Sequence, residues 1–290
     1  MRGARLGQHF LIHSWAARTL AHTVEPREGE VIVEVGPGKG VLTRELLTLG
    51  KVIAIEKDEV LVAVLNETFA KEIAVGKLTI LAGDIRDVCI EPFKTVPDAR
   101  HADRGERGVS EHTTRATLRL RNDADGIVLD GGYIVAANIP YYITGEIIRQ
   151  FLTASIKPRA MALLIQKEVA QRITGSKESI LSLSVKAFGT PKIIAKVSKN
   201  HFSPPPSVDS AILAVTDISG AFFDSIEEEQ FFTVVRAGFA SKRKFVANNL
   251  AVVLDKEKVV GAMAACGIPE KARAEDIKLP EWKELTKMLF

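Results

Sequence analysis

The chain has 290 residues, 46% of them hydrophobic, and a formal net charge of +3. This length predicts one large domain with a smaller second one. No apolar run is long enough to span a membrane and the N-terminus has no apolar stretch, so neither a membrane protein nor an exported one is indicated. The two cysteines, Cys89 and Cys266, lie far apart, which favours reduced thiols in a cytoplasmic protein over a disulfide or a metal site.

Positive charge is concentrated between residues 157 and 202. Nine Lys or Arg residues in this stretch are accompanied by two acids, a net charge of +7. Residues 221–290, by contrast, carry eleven charges of each sign. A basic face of this kind is typical of proteins that bind a polyanion, and the alternative is an ordinary solvated basic surface.

The first 82 residues alternate predicted helices and strands, which favours a doubly wound parallel sheet. A helix is expected from Ser14 to about Val24, and Asp58 is expected to cap another. Apolar, β-branched runs predict strands at residues 31–35, 51–56 and 77–82. A helix is expected at residues 41–49, between the first two of these strands. Ligands bind such sheets at the carboxyl ends of the strands.

A glycine turn joins the strand at residues 31–35 to the next helix. Gly36, Gly38 and Gly40 allow positive φ and let a ligand lie against the backbone, although such turns also occur simply to make a tight loop. Glu56 ends the following strand, where a carboxylate can accept ribose hydroxyls, while Pro37 removes an N–H that would face a pyrophosphate. The pattern therefore favours a ribose cofactor without phosphate, such as S-adenosylmethionine.

Residues 96–126 interrupt the alternation with many charges of both signs and little periodicity. Nothing in this composition requires a packed core, so we expect an exposed insertion. The alternative is an RNA-contacting arm that uses six arginines: Arg100, Arg104, Arg107, Arg115, Arg119 and Arg121.

Regular structure is expected again from Tyr133. Strands are predicted at residues 133–137, 159–165, 183–188, 193–197 and 211–215, with helices from Thr144 and at residues 166–173. From Ser225, with Glu228 completing a capping box, the pattern is entirely helical. We therefore expect a large domain over residues 1–218 and a small helical domain over residues 219–290.

The sequence Asn138-Ile139-Pro140-Tyr141 at the end of a strand carries the most specific chemistry. Methylation of the exocyclic amine of adenine requires acceptors that hold its N–H groups and direct the nitrogen lone pair at the methyl donor. The Asn138 side-chain oxygen and the Ile139 carbonyl are such acceptors, Pro140 stiffens the turn, and Tyr141 offers a stacking face for an extruded base. Positioning and electrostatics then carry the reaction.

Seven motifs together resemble the KsgA/Dim1 family of small-subunit ribosomal RNA adenine N6,N6-dimethyltransferases. They are Leu-Gly-Gln-His-Phe-Leu (6–11), Glu-Val-Gly-Pro-Gly-Lys-Gly-Val-Leu-Thr (34–43), Ile-Glu-Lys-Asp (55–58), Gly-Asp-Ile (83–85), Asn-Ile-Pro-Tyr-Tyr-Ile-Thr (138–144), Gln-Lys-Glu-Val-Ala-Gln-Arg-Ile (166–173) and Phe-x-Pro-x-Pro-x-Val-Asp-Ser (202–210). The resemblance covers essentially the whole chain. It implies a Rossmann-like methyltransferase sheet with a small C-terminal all-helical domain. The implied reaction dimethylates two adjacent adenosines in the 3′-terminal hairpin of small-subunit rRNA during ribosome biogenesis.

The resemblance also implies roles for individual residues. It places Gly36 under the methionine part of S-adenosylmethionine, Glu56 on the ribose hydroxyls and Asp84 on the adenine amine. Phe202 would form the second stacking face for the target base. The complete implied cofactor set is Gln8, His9, Leu11, Gly36, Gly38, Glu56, Lys57, Asp84, Ile85 and Asn138.

A basic element at Lys242, Arg243 and Lys244 is implied to contact RNA phosphates, with a solvated cluster as the alternative. No metal is expected. The implied partner is the small ribosomal subunit with its rRNA, bound by a monomer away from any membrane. The insertion departs from the family, since Asp84 and Asn138 stand 54 positions apart.

Two other functions remain open. The large-subunit rRNA dimethyltransferases that confer macrolide resistance share the sheet and the Asn-Ile-Pro-Tyr element. A ribosome-assembly factor, for which binding matters more than catalysis, is the alternative outside enzymology.

Overall fold

The computed structural model describes residues 9–92, 116–120 and 126–290. It contains twelve strands within these ranges: β1 (Phe10–Leu11), β2 (Val31–Val35), β3 (Val52–Glu56), β4 (Leu78–Ala82), β5 (Val88–Pro92), β6 (Ala116–Leu120), β7 (Ile127–Leu129), β8 (Tyr133–Asn138), β9 (Met161–Gln166), β10 (Thr190–Val197), β11 (Phe202–Ser203) and β12 (Ser210–Thr216). The α-helices of the same ranges are α1 (Ser14–Ala21), α2 (Val41–Leu46), α3 (Glu59–Thr68), α4 (Ala70–Ala74), α5 (Thr144–Leu152), α6 (Lys167–Thr174), α7 (Ile180–Phe188), α8 (Glu228–Gly238), α9 (Val246–Leu250), α10 (Lys256–Ala265) and α11 (Leu279–Leu289).

Seven strands form one sheet in the order β10, β12, β9, β8, β2, β3, β4. The strands β8, β2, β3 and β4 pair in parallel, as the alternation of strands and helices predicts. The edge pair β10 and β12 is antiparallel, so the sheet is mixed and the predicted parallel pairing does not extend to this edge. The Rossmann-like fold class is confirmed.

The chain divides into two compact units, residues 1–163 with 200–206 and residues 164–199 with 207–290. This division follows contacts and does not test the functional boundary expected at residue 219, which stays a prediction. No helix among the described residues is long and apolar enough to cross a membrane.

In the first unit, the central strands are short and apolar except for Glu34 of β2 and the last residue of β3, Glu56. Every residue of β2 and β3 is buried, because parallel strands are covered on both faces. The turn after β2 takes positive φ at Gly36, Gly38 and Gly40 (69°, 58° and 76°), as the glycine pattern predicts. Asp58 caps α3 by accepting bonds from the N–H groups of Val60 and Leu61, which confirms its predicted role.

The strands β5, β6 and β7 form a separate antiparallel sheet of three strands. Ala116 and Leu118 of β6 are fully buried, so the expectation of an exposed insertion is wrong for these two residues. The sequence of this strand alternates, with apolar residues at 116 and 118 and polar residues at 117 and 119. The pattern is too short to stand out from the many charged residues around it. Arg119 pairs with Glu91 at 3.2 Å. The remaining five arginines of the alternative RNA arm lie outside the described residues.

In the second unit, the four helices from α8 to α11 pack with α7 around Phe231 and Trp282, both fully buried. The helical character of residues 219–290 is thus confirmed. The predicted capping box at Ser225 is wrong, because α8 begins at Glu228 with Glu227 at its N-cap position and no side-chain cap.

The strand predicted at residues 183–188 is wrong, since these residues belong to α7. Ser179 starts the helix by capping the N–H of Ser182 at 3.1 Å. The helix is buried over most of its surface, so its sequence lacks the polar stripe that marks a surface helix. Its apolar residues consequently resemble a strand.

Candidate active site

An open cavity of about 1130 Å³, counting the part open to solvent, lies in the first unit. It lies at the carboxyl ends of β2, β3 and β8, the place where ligands bind sheets of this type. All five residues predicted to act on the target base line it: Asn138, Ile139, Pro140, Tyr141 and Phe202. So do all the described residues predicted to bind the cofactor: His9, Leu11, Gly36, Gly38, Glu56, Lys57, Asp84, Ile85 and Asn138. Gln8 lies outside the described residues.

The Glu56 carboxylate is held in place by two backbone N–H groups. Gly38 donates to Oε2 at 3.1 Å and Asp58 donates to Oε1 at 2.9 Å. The side chain is buried, with 4% of its surface exposed. Because a carboxylate oxygen has two lone pairs, each oxygen keeps one acceptor position for a further donor such as a ribose hydroxyl.

The Asp84 carboxylate accepts four hydrogen bonds, two more than Glu56. Oδ1 accepts bonds from the backbone N–H and Nε of Arg86, and Oδ2 accepts from the Arg86 guanidinium and from Lys57 at 2.9 Å. The Arg86 guanidinium and Lys57 ammonium hold the pKa of Asp84 well below its usual range. An adenine amine can reach this carboxylate only when Arg86 or Lys57, whose side chains are 44% and 57% exposed, moves aside.

The Asn138 amide is oriented by the segment before β1. Its Nδ2 donates to the His9 carbonyl at 3.3 Å, so Oδ1 lies on the opposite side of the amide as an acceptor. His9 is held in turn by a 2.8 Å bond between its Nδ1 and the Pro204 carbonyl, and its ring stacks on Tyr141. The donor end of the Asn138 amide is thus fixed by His9, and its oxygen is the acceptor end.

Phe202 reaches the cavity through a pairing that spans most of the chain. β1 and β11 form a two-stranded antiparallel ladder in which Leu11 lies opposite Phe202. Phe202 is 3% exposed and Leu11 is 5% exposed. The two residues therefore form one apolar wall of the cavity, as expected for a flat aromatic ligand.

The cavity also contains residues that sequence reasoning did not identify, among them Phe10, Lys39, Arg86 and Tyr142. Lys39 lies over the Phe10 ring, 5.1 Å from its centroid. Arg86 could have been noticed, since an arginine two positions after an acid at a strand end can form a bidentate pair with it. Phe10, Lys39 and Tyr142 lie within the motifs at residues 6–11, 34–43 and 138–144, although the resemblance gave these three positions no role.

A buried acid lies behind the glycine turn. Glu34 of β2 is fully buried between strands, and neither its carboxylate oxygens nor the Thr43 hydroxyl has a hydrogen-bond partner among the described residues. Burial raises the pKa of Glu34 to about 8. The nearby Thr43 hydroxyl lowers this pKa somewhat, and the negative charge of Glu56 raises it further. Glu34 is therefore largely neutral at pH 7.

The basic residues predicted to contact RNA lie in the second unit. Lys242, Arg243 and Lys244 are exposed in the loop between α8 and α9. The buried Asn249 amide holds this loop by donating to the carbonyls of Gly238 and Ser241, at 2.6 and 3.0 Å. The loop thus presents three cations from a fixed backbone.

Several cations of the basic stretch at residues 157–202 are paired with acids. Arg159 contacts Glu30, Lys177 contacts Asp276, and Lys186 contacts Glu178. The positive face is consequently smaller than the net charge of the stretch indicates. Among the residues that the structure describes, no three His, Cys, Asp or Glu side chains are grouped as a metal site.

Comparison with known proteins gives one consistent family. The ribosomal RNA adenine dimethylase family matches residues 3–289. Ribosomal RNA small subunit methyltransferase A of Dehalococcoides mccartyi (strain ATCC BAA-2266) is 35% identical over 285 residues, which cover 97% of this chain and 86% of that protein. The protein of the same name from Moorella thermoacetica is 33% identical over 289 residues, covering 98% and 91%.

Two solved structures resemble the whole chain. The 23S rRNA methyltransferase ErmE has a TM-score of 0.68 at 21% identity, with 97% of this chain and 99% of that chain covered. A dimethyladenosine transferase from Plasmodium falciparum has a TM-score of 0.65 at 20% identity, covering 93% and 92%. At these identities the likeness shows the fold.

Proposed function

The chain belongs to the ribosomal RNA adenine dimethylase family, and we propose that it dimethylates N6 of two adjacent adenosines in the 3′-terminal hairpin of small-subunit rRNA. It is an rRNA adenine dimethyltransferase that uses S-adenosylmethionine. The proposal extends this activity to a particular pair of nucleotides and to a step in ribosome biogenesis. The small-subunit enzymes among its relatives support that choice.

The observation that carries the proposal is the orientation of Asn138 inside the cavity. Because Nδ2 donates to the His9 carbonyl, Oδ1 is the atom that can accept an N–H of the target amine. The Ile139 carbonyl is the second acceptor, and the pair favours a pyramidal nitrogen with an exposed lone pair. Tyr141 and Phe202 both line the cavity and stack on the extruded base.

The residues around the glycine turn fit S-adenosylmethionine, which supplies a methyl group on a positively charged sulfur. Gly36 and Gly38 present backbone without Cβ atoms toward the cavity. Glu56 keeps acceptor positions for the ribose hydroxyls, and Asp84 takes the adenine amine once Arg86 or Lys57 moves aside. His9 and Leu11 line the cavity beside the cofactor, as do Lys57 and Ile85. Gln8, the remaining member of the implied set, lies outside the described residues.

Residues 219–290 serve, in this proposal, as an RNA-binding helical domain. Lys242, Arg243 and Lys244 contact phosphates from the loop that Asn249 holds. The enzyme binds the small subunit as a monomer in the cytoplasm, a location consistent with an rRNA substrate and with two free cysteines.

The test incubates the purified protein with methyl-labelled S-adenosylmethionine and small ribosomal subunits that lack the modification. The rRNA is then digested and its nucleosides are separated. Label in N6,N6-dimethyladenosine, mapped by primer extension to the 3′-terminal hairpin, is the expected result. Label that maps to large-subunit rRNA in a parallel reaction would instead indicate the macrolide-resistance activity, and binding without label would indicate an assembly factor.

A further inference from the structure

Three aromatic heterocycles pack against one another on the surface of the first unit. The rings of His13 and His201 stack with centroids 4.2 Å apart and an interplanar angle of 23°. Trp15 meets both edge-on, at 6.4 Å from His13 and 6.0 Å from His201. Trp15 is 46% exposed and the neighbouring Ile12 is 55% exposed. We name His13, Trp15 and His201 the aromatic platform.

The platform continues one wall of the cavity. His201 immediately precedes Phe202, and His13 follows Leu11 by two positions. Both segments of the ladder therefore lead directly from the wall to the platform. The Ile12 N–H donates to the His201 carbonyl at 2.9 Å, which extends the ladder of β1 and β11 in that direction. The three platform residues do not themselves line the cavity, but they lie close to the two residues of its wall along the chain.

The composition of the platform favours a nucleobase over other ligands. Exposed aromatic rings suit stacking, which every base can supply. The Nδ1 atom of His201 has no hydrogen-bond partner among the described residues, so ring packing is what holds this side chain. An indole that is half exposed keeps hydrophobic area available for a planar partner.

The substrate supplies such a base. When one adenosine leaves its stack and enters the cavity, the nucleotide beside it loses a stacking neighbour. We propose that the aromatic platform stacks the base next to the target adenosine. This inference rests on the proposed function, since it requires an extruded rRNA adenosine in the cavity.

Fluorescence offers a direct test because the chain has two tryptophans. Trp282 is fully buried, so Trp15 is the tryptophan that an RNA base can contact. We would titrate the protein with a short RNA hairpin that carries two adjacent adenosines, and with the same hairpin made abasic beside the target. Quenching by the first RNA, lost with the abasic RNA and in Trp15→Phe, is expected. Binding without quenching would overturn the proposal.

Kinetics on unmodified small subunits supply the second readout. Trp15→Ala should raise the KM for the subunit about 5- to 150-fold, the loss of one stacked base, while Trp15→Phe restores most of it. The affinity for S-adenosylmethionine, measured by calorimetry, should not change in either variant. Unchanged kinetics in Trp15→Ala would also overturn the proposal.

A matched control is Val75→Ala, because Val75 is 71% exposed and precedes β4, at the opposite end of the sheet strands from the cavity. Its kinetics should equal those of the wild type. The two proposals fail separately: wild-type protein that transfers no methyl group contradicts the proposed function, whereas the quenching experiment contradicts only the platform.

Discussion

At the scale of single residues, the Asn138 amide is the part of the site with the clearest chemical assignment. Asn138→Ala should lower methyl transfer about 100- to 1000-fold, the usual cost of losing one preoriented polar group at a reacting centre. Single-turnover rates with saturating cofactor and subunits would measure the loss. Binding to the subunit should persist.

The control for this variant is Asn248→Ala, an exposed asparagine in α9. It should retain the wild-type rate. Full activity in Asn138→Ala would contradict the proposed role of its amide and leave the Ile139 carbonyl as the remaining acceptor.

Glu34 makes stability depend on pH. The native protein holds the Glu34 proton until about pH 8, whereas the unfolded chain releases it near pH 4.5. Since the native state then binds more protons, its stability falls as pH rises through this window. Glu34→Gln stays neutral and escapes that loss, so its Tm relative to the wild type should rise steadily between pH 5 and pH 8.

Calorimetric Tm values at pH 5, 6, 7 and 8 would measure this difference. Glu67→Gln, at an exposed position of α3, should show a Tm difference that is nearly independent of pH. A constant difference in Glu34→Gln would mean that Glu34 is ionised in the native protein at neutral pH.

At the scale of elements, close helix packing in the second unit depends on Gly238. A Cβ at this position of α8 would clash with the Trp282 ring, because it would lie closer to the ring atoms than real Cβ atoms come to other atoms. Gly238→Ala should therefore lower the free energy of unfolding by about 1–3 kcal/mol, the usual cost of overpacking. Urea unfolding would measure the change.

Gly261 of α10 is the matched control, because a Cβ there meets no atom within 4 Å. Gly261→Ala should leave stability unchanged or raise it by up to about 1 kcal/mol, through better helix propensity. Equal effects in the two variants would contradict the packing argument.

Local sequence patterns predict the elements whose structure depends on neighbouring residues. They fail where burial or pairing with distant parts of the chain determines the structure. The strand, glycine turn and acid at Val35, Gly36 and Glu56 follow from residues close in sequence. The strand predicted at residues 183–188 fails because burial on most sides removes the helical stripe. The platform of His13, Trp15 and His201 depends on a pairing between residues about 190 positions apart, which no local pattern encodes.

At the scale of the whole molecule, the proposed RNA contacts predict a strong dependence of binding on salt. Replacing Lys242, Arg243 and Lys244 together with glutamine removes three cations from one fixed loop. If each contacts a phosphate, the slope of log K against log salt should fall by about 2–3. Binding to unmodified small subunits between 50 and 300 mM salt would measure it.

A variant of equal charge separates this effect from net charge alone. Lys256→Gln, Lys271→Gln and Lys287→Gln together remove three exposed cations from the same unit. This control should keep nearly the wild-type slope. An equal fall in both triple variants would favour a general field over contacts at the loop.

The ladder between β1 and β11 has a consequence for how the protein is made. Leu11 can pair with Phe202 only after the chain has been synthesised past residue 203 and has left the ribosome. Glu56, Asp84 and Asn138 emerge earlier, so the parts proposed for the methyl donor precede the wall proposed for the target base. A nascent copy of this enzyme therefore lacks a complete substrate site while the ribosome that makes it is still translating the first two thirds of the chain.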